Sequence, residues 1–368
     1  MIPAEQTPTE AEPKVSMRGL LPGWLRIALS ASAAVLAGLV LLAASLGLSS
    51  ALQLRDTLPV ETAVPLRADL SATAHERPQH RVIVHLRDSS AALAAYFRKL
   101  DYGLRQVRQD GAEVPRVYVP VLPKDLQHVQ PIERRKSLFV RIVLPLVLKE
   151  NERLRRDHVR LQKIQTELRE GAKLGPEPQA WLERQYEDYN VQTGQFAKLL
   201  RRVDTIPPSL ALAQAAKESA WGTSRFVREG NALFGMWTWS DDVPGIVPLE
   251  RDEDARHRVR AFDSLAESVH VYMHMLNTHW AYREFRERRA AMRKAGRPPE
   301  GLALASAVSR YSQQRERYTV QLRALIRAND MGALDRTALG DDWLRSAVAA
   351  KRTAALGNTA MIAQEPGR

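Results

Sequence analysis

The chain has 368 residues, 45% of them hydrophobic, and a formal net charge of +12 from 54 Lys and Arg against 42 Asp and Glu. That length and apolar share suffice for one or two domains with a real core. The basic excess favours anionic partners such as nucleic acid, anionic lipid or acidic wall polymer without choosing among them, and the absence of cysteine excludes disulfides, thiol catalysis and Cys-ligated zinc.

Residues 1–26 read as a polar tail. Ile27 to Leu54 then runs without a charged side chain between Arg26 and Arg55. About 20 residues at about 1.5 Å each cross a hydrocarbon core, whereas a cleaved signal has an apolar region of about 7–15. Residues 27–54 are therefore expected to form an uncleaved transmembrane signal anchor. Lys14, Arg18 and Arg26 before the span favour an inside N-terminus, weakly, since Arg55 and Arg67 follow it.

Residues 55–117 read as a spacer of unknown structure, with a short strand at Arg81–Leu86 and a short helix at 91–100. Two prolines keep Val117–Pro123 extended. Ser137–Glu170 is expected to be helical. Leu154, Leu161 and Leu168 recur every seven residues, too few heptads for a coiled coil, so the helix should pack on its own domain, kinked near Pro145 and ended by Gly171, Gly175 and Pro176. Gln179–Tyr189 reads as a second helix.

The informative stretch starts at Ile206-Pro207-Pro208. Prolines suit a helix start, and the alanine- and leucine-rich run after them is apolar on nearly every face, which implies burial. Gly222 is placed to stop it. Glu218 falls in the last turn, with Gln214, Ala215 and Ala211 as its neighbours toward the N-terminus. Apolar surroundings and the negative end of the helix dipole both disfavour its charged form. A carboxyl kept protonated near neutral pH suits a general acid; the competing reading, a solvated helix-end residue, must tolerate the unfavourable dipole.

Aromatic residues follow. Indole faces stack on sugar rings, so Trp221, Asn231, Phe234 and Trp237 are candidate substrate-binding residues, with core packing the competing reading for Phe234 and Trp237. Ile246–Arg251 and Arg256–Phe262 read as paired strands turning at Asp252, Glu253 and Asp254. Ser264 and Glu267 form a capping box for the next helix. His270 and His274, with His279 nearby, have the spacing of metal ligands, but Val271 stands where a metalloprotease needs Glu; they read as packing or polar-face residues, and no metal is expected. Tyr311 and Tyr318 share roughly one helical face. Residues 341–368 read as a C-terminal tail. No phosphate loop, zinc-finger spacing or nucleophile elbow occurs.

Glu218-Ser-Ala-Trp-Gly-Thr-Ser-Arg-Phe226 followed by Asn231-Ala-Leu-Phe-Gly235 resembles the signature of the bacterial glucosaminidase family, glycoside hydrolase family 73, in its Bax-like subgroup. Lys136-Ser-Leu-Phe-Val140, Arg202-Val-Asp-Thr-Ile-Pro-Pro208, Gly245-Ile-Val-Pro248, Phe262-Asp-Ser264, Leu276-Asn-Thr-His279 and the Tyr311 and Tyr318 pair extend the match over about residues 118–330. The resemblance implies a mainly α, lysozyme-like helical domain at 118–340 with a small β-hairpin lobe beside a cleft. It implies an endo-β-N-acetylglucosaminidase hydrolysing β-1,4 bonds of peptidoglycan with no cofactor. Glu218 matches the essential acid, and Tyr311 a tyrosine near it, which leaves Tyr318 a structural place. Glu250 is the nearest fit for a second carboxylate, ahead of Asp241, Asp242 and Glu253. Ala220 and Ala232 stand where the family often has Gly and Asn. With the anchor, the expected location is the bacterial inner membrane, single-pass, with the catalytic domain in the periplasm. Peptidoglycan strands are then the partner, and no nucleic acid is expected. The rival reading is a catalytically inactive peptidoglycan-binding or scaffold protein on the same fold.

Overall fold

A computed structural model of the chain describes residues 89–249 and 255–340. The expected anchor at 27–54, the strand at Arg81–Leu86, Glu250, the turn at 252–254 and the tail lie outside those residues. Among the described residues no helix is long and apolar enough to cross a membrane.

The fold is mainly helical with one small sheet. Helix α1 (Ser90–Lys99) starts where the Ser89 hydroxyl accepts from the Ala92 N–H, and α2 (Leu104–Gln109) follows. This end of the segment read as spacer belongs to the core: Leu93, Phe97 and Val114 are fully buried in it. Val114 also bridges to the far end of the domain, donating to Ala338 O at 2.9 Å and accepting from Gly340 N at 3.0 Å.

The long α3 (Ile132–Arg169) has 38 residues, about 57 Å at 1.5 Å per residue. It begins before the expected Ser137, directly after Pro131, and Pro145 lies within it. Its first half is buried almost continuously from Leu138 to Leu148. Its second half buries only Asn151, Leu154, Leu161 and Ile164, while Val159 and Leu168 are exposed. The seven-residue leucine spacing therefore marks a stripe that leaves the core after Ile164. Helices α4 (Pro176–Asp188) and α5 (Phe196–Arg202) return the chain to the core.

Helix α6 (Pro208–Glu218) lies at the centre, with every residue from Pro208 to Ala216 buried. It packs on α3, on α10 (Gly301–Leu304), on α11 (Arg315–Ala328) and on the 3-10 turn at Gly332–Arg336. Pro207 and Pro208 remove two N–H groups that a helix start would leave unpaired. The remaining polar groups of this buried entry are paired individually. Asn151 on α3 grips Ile206, its Nδ2 donating to the carbonyl at 2.8 Å and its Oδ1 accepting the N–H at 2.9 Å. The Asp335 carboxylate accepts from Ser209 N at 2.8 Å, Ser209 Oγ at 2.8 Å and Gly301 N at 2.9 Å.

Helix α7 (Arg225–Gly230) leads into the sheet, whose order is β1 (Trp237–Thr238), β3 (Arg258–Arg260), β2 (Gly245–Ile246), all antiparallel. The expected pair of strands is present but shorter on both arms, the second spanning only Arg258–Arg260 and the first ending at Ile246. Pro248 has no N–H for a ladder bond, and Leu249 is 85% exposed. The strand at Trp237–Thr238 is an addition that the sequence reading did not contain. Helices α8 (Leu265–Thr278) and α9 (Arg283–Lys294) complete the domain, and Ser264 caps α8 as expected, accepting from Glu267 N at 3.2 Å.

Candidate active site

Glu218 is the last residue of α6. The chain leaves the helix through three successive left-handed residues, Ala220 (φ 50), Trp221 (φ 59) and Gly222 (φ 82). Ser219 ties this exit to the helix, its hydroxyl donating to Ala215 O at 2.6 Å and accepting from Gly222 N at 3.0 Å. Glycine is required at 222 for space as well as for φ, since a Cβ there would lie 2.8 Å from methyls of Leu122 and Leu126. A second left-handed glycine, Gly235 (φ 58), passes over the acid: a Cβ added there would begin 3.8 Å from Glu218 Oε2.

Glu218 keeps part of its surface accessible, but burial of its carboxyl pushes its pKa up to about 7 against the smaller opposing effects of Lys217 and a hydrogen bond from Tyr318. The sequence argument from apolar surroundings thus holds. Four buried tyrosines enclose the acid, Tyr272 from α8, Tyr318 from α11, and Tyr282 and Tyr311 from 3-10 turns. Burial first, and the Glu218 charge next, push the Tyr311 and Tyr318 phenols well above their ordinary value. Burial raises the Tyr272 and Tyr282 phenols too, so all four stay protonated, and Tyr272, Tyr311 and Tyr318 act as donors.

The hydroxyl that reaches the acid is that of Tyr318, which donates to Glu218 Oε1 at 2.9 Å. Sequence reasoning gave Tyr318 a structural place and put Tyr311 beside the acid. Tyr311 is near the acid as expected, but its hydroxyl donates to Phe234 O at 2.6 Å, holding the turn just before Gly235, with its ring 5.9 Å from that of Tyr318. Gln214, one turn before Glu218, donates to Tyr318 Oη at 2.9 Å and accepts from Tyr272 Oη at 2.8 Å. The signal for Gln214 was available: it is the sole uncharged amide in a run of alanine and leucine.

The four expected substrate contacts divide. Phe234 is fully buried and stacked on Tyr272 at 3.8 Å, so it is a core residue with no face for a ligand. Asn231 is partly exposed; it ends α7 in the left-handed conformation (φ 53), and its Nδ2 donates to Phe262 O at 3.0 Å. Trp221 is partly exposed, edge-on to Phe139 at 5.9 Å with the Lys136 ammonium 5.4 Å from its ring. Trp237 stands two residues beyond Gly235, partly exposed, stacked on His257 at 4.1 Å and 6.2 Å from Trp239.

Glu250 and Glu253 lie outside the described residues. Asp241 and Asp242 are exposed, and Asp241 pairs with Arg258 at 3.2 Å. The three histidines are separately engaged: His270 with Glu150 at 3.0 Å, His274 with Asp188 O at 2.8 Å, and His279 accepting from Ala281 N at 3.2 Å. Burial holds His274 down at about 4. Among the described residues no group of three or more acidic, His or Cys side chains is placed to hold a metal ion.

The sequence profile of the glucosaminidase family, described as mannosyl-glycoprotein endo-beta-N-acetylglucosaminidase, matches residues 194–331. The chain is also similar to Protein bax of Escherichia coli (strain K12), 33% identical over 204 residues, which is 53% of this chain and 70% of that protein. No solved structure matches the chain.

Proposed function

The chain belongs to the glucosaminidase family as a Bax-like member, and from that premise we propose that it is an endo-β-N-acetylglucosaminidase that hydrolyses β-1,4 bonds of peptidoglycan, with Glu218 as general acid. The observation that carries the reading is the carboxyl of Glu218, buried among tyrosines, with a pKa pushed up to about 7, and passed by a glycine that puts no side chain over Oε2. An acid with a pKa near the working pH combines a large protonated fraction with a ready transfer. Glu218 gives its proton to the glycosidic oxygen as the bond to the anomeric carbon breaks. Water, or first the substrate's own acetamido group, supplies the new bond at that carbon, and a proton from the water restores the acid. Trp237 and Trp221 offer partly exposed indole faces for sugar rings. On the same reading the domain works outside the cytoplasm, tethered by the apolar segment 27–54.

The rival, a wall-binding protein without turnover, has one observation in its favour. Among the described residues the groups that shift Glu218 are Lys217 and Tyr318, and neither is a second carboxylate. Purified peptidoglycan separates the two. The wild-type chain should release muropeptides with N-acetylglucosamine reducing ends, detected by mass analysis, and Glu218→Gln should release none. Binding by both with release by neither establishes the rival, and muramic reducing ends establish a muramidase.

A further inference from the structure

Resting on Glu218 as the acid, we propose that Gln214 and Tyr272 are positioning residues that decide which oxygen of Glu218 carries the reacting proton. Gln214 is fully buried, and so is the Tyr272 side chain. The amide has a donor end and an acceptor end, and the chain of contacts runs in one direction. Tyr272 Oη donates to Gln214 Oε1 at 2.8 Å, Gln214 Nε2 donates to Tyr318 Oη at 2.9 Å, and Tyr318 Oη donates to Glu218 Oε1 at 2.9 Å.

A phenol has a single hydrogen. Because Tyr318 already accepts from Gln214, its hydrogen is committed to Glu218 Oε1. That oxygen is an acceptor, so the carboxyl proton resides on Oε2, the oxygen over which Gly235 passes without a side chain. With the amide turned over, Tyr318 would donate to the Gln214 oxygen and Glu218 would give its proton to Tyr318, out of reach of a substrate. The turned arrangement also sets the buried Tyr272 hydroxyl against the amide N–H2 and leaves its hydrogen without this acceptor, and a buried unsatisfied donor is costly. Tyr272 thus selects the amide orientation, and the amide selects the proton's position. After transfer, the same Tyr318 hydrogen supports the carboxylate.

Among the described residues the ionisable groups facing Glu218 are Lys217 beside it, Tyr318 from α11, Tyr311 and Tyr282 from the 3-10 turns and Tyr272 from α8. Only the link through Gln214 gives Tyr272 influence on the direction of the Tyr318 hydrogen. Tyr272→Phe removes that hydroxyl and keeps the ring stacked on Phe234.

The test is a cycle of Tyr272→Phe, Gln214→Met and the double variant, each checked for an unchanged thermal midpoint or its shift recorded. Two readouts are followed: the carbon-13 titration of the Glu218 carboxyl and the pH dependence of kcat on purified glycan strands. Each single variant removes or loosens the Gln214 donation that commits the Tyr318 hydrogen, so Tyr318 supports the carboxylate less and the Glu218 titration should move to higher pH. Each should also lower kcat by roughly tenfold, within the range for acid catalysis, with KM unchanged. In the Gln214→Met background, Tyr272→Phe should add nothing further. Equal, additive effects in the two backgrounds, or an unmoved Glu218 titration, overturn the proposal. The titration is read on the protein itself, so its outcome stands even if no glycan is cleaved, and that result would count against the enzymatic reading alone.

Discussion

Glu218 and Ala220, two residues apart, both hold states that cost free energy locally, and each cost can be measured. Burial raises the Glu218 carboxyl to about 7 from an ordinary 4.5. A raised acid contributes most below its unfolded pKa, and the contribution is lost as pH rises through the folded one. Glu218→Gln, which cannot ionise, should therefore be more stable than wild type at pH 8 by up to about 3 kcal/mol. The gain should vanish by about pH 4.5, and calorimetric melts across that window check it. A gain that is flat with pH would mean the carboxyl is not desolvated. Activity should fall on the same side, as the acid loses its proton above about pH 7. Ala220 sits at φ 50, a region that costs a non-glycine residue about 1–2 kcal/mol. Ala220→Gly should recover about 0.5–1 kcal/mol, visible as a higher urea midpoint. This gives a physical reason why glycine is common at that position in the family that the signature resembles.

Helix α6 is held by its ends more than by its own capping residues. Asn151 satisfies both backbone groups of Ile206, and Asn151→Ala would leave a buried N–H and carbonyl unpaired. Each costs about 1–3 kcal/mol, so a loss of about 2 kcal/mol or more is expected in denaturant melts. Asn151 lies far from Glu218 along α6, so the catalytic pH profile should keep its shape. The helix itself was legible because alanine and leucine on every face, with prolines before and glycine after, leave little alternative. The acid in its last turn was legible for the same reason. What the sequence hid was non-local. That Tyr318 and not Tyr311 meets the acid depends on how α11 rotates against α6, which a shared face seven residues apart does not specify. Phe234 carries the family signature, yet it works as a core ring. A motif records which residues matter together and not which of them touch a ligand. The strand Trp237–Thr238 was too short to produce an alternating pattern.

Across the molecule, the elements around α6 are tied by one buried guanidinium. Arg289 of α9 is fully buried and donates to Arg201 O at 2.8 Å, to Asp204 O and Thr205 O at 3.0 Å, and to Asn277 Oδ1 at 2.8 Å. It thereby joins α5, α8 and α9 to the loop that enters α6. Arg289→Met should cost about 3–5 kcal/mol, because it takes the donor from several buried carbonyls and leaves Asp204 with Arg293 as its one remaining guanidinium among the described residues. Its neighbour Arg288, about half exposed and paired with Glu284, should cost about 0–1 kcal/mol on the same change. Equal losses at the two positions would argue that the buried network is dispensable. Composition indicated a real core and a basic surface, but the +12 charge did not disclose that some arginines are internal fasteners. The order of the contacts has a consequence for biosynthesis. Glu218 leaves the ribosome 100 residues ahead of Tyr318, which donates to it, and Asp335, which clasps the start of α6, comes later still. At about 5–20 residues per second, the nascent chain carries its acid for several seconds without the partners that orient it. A growing chain therefore gains its assembled acid only as the last helices of the domain are made.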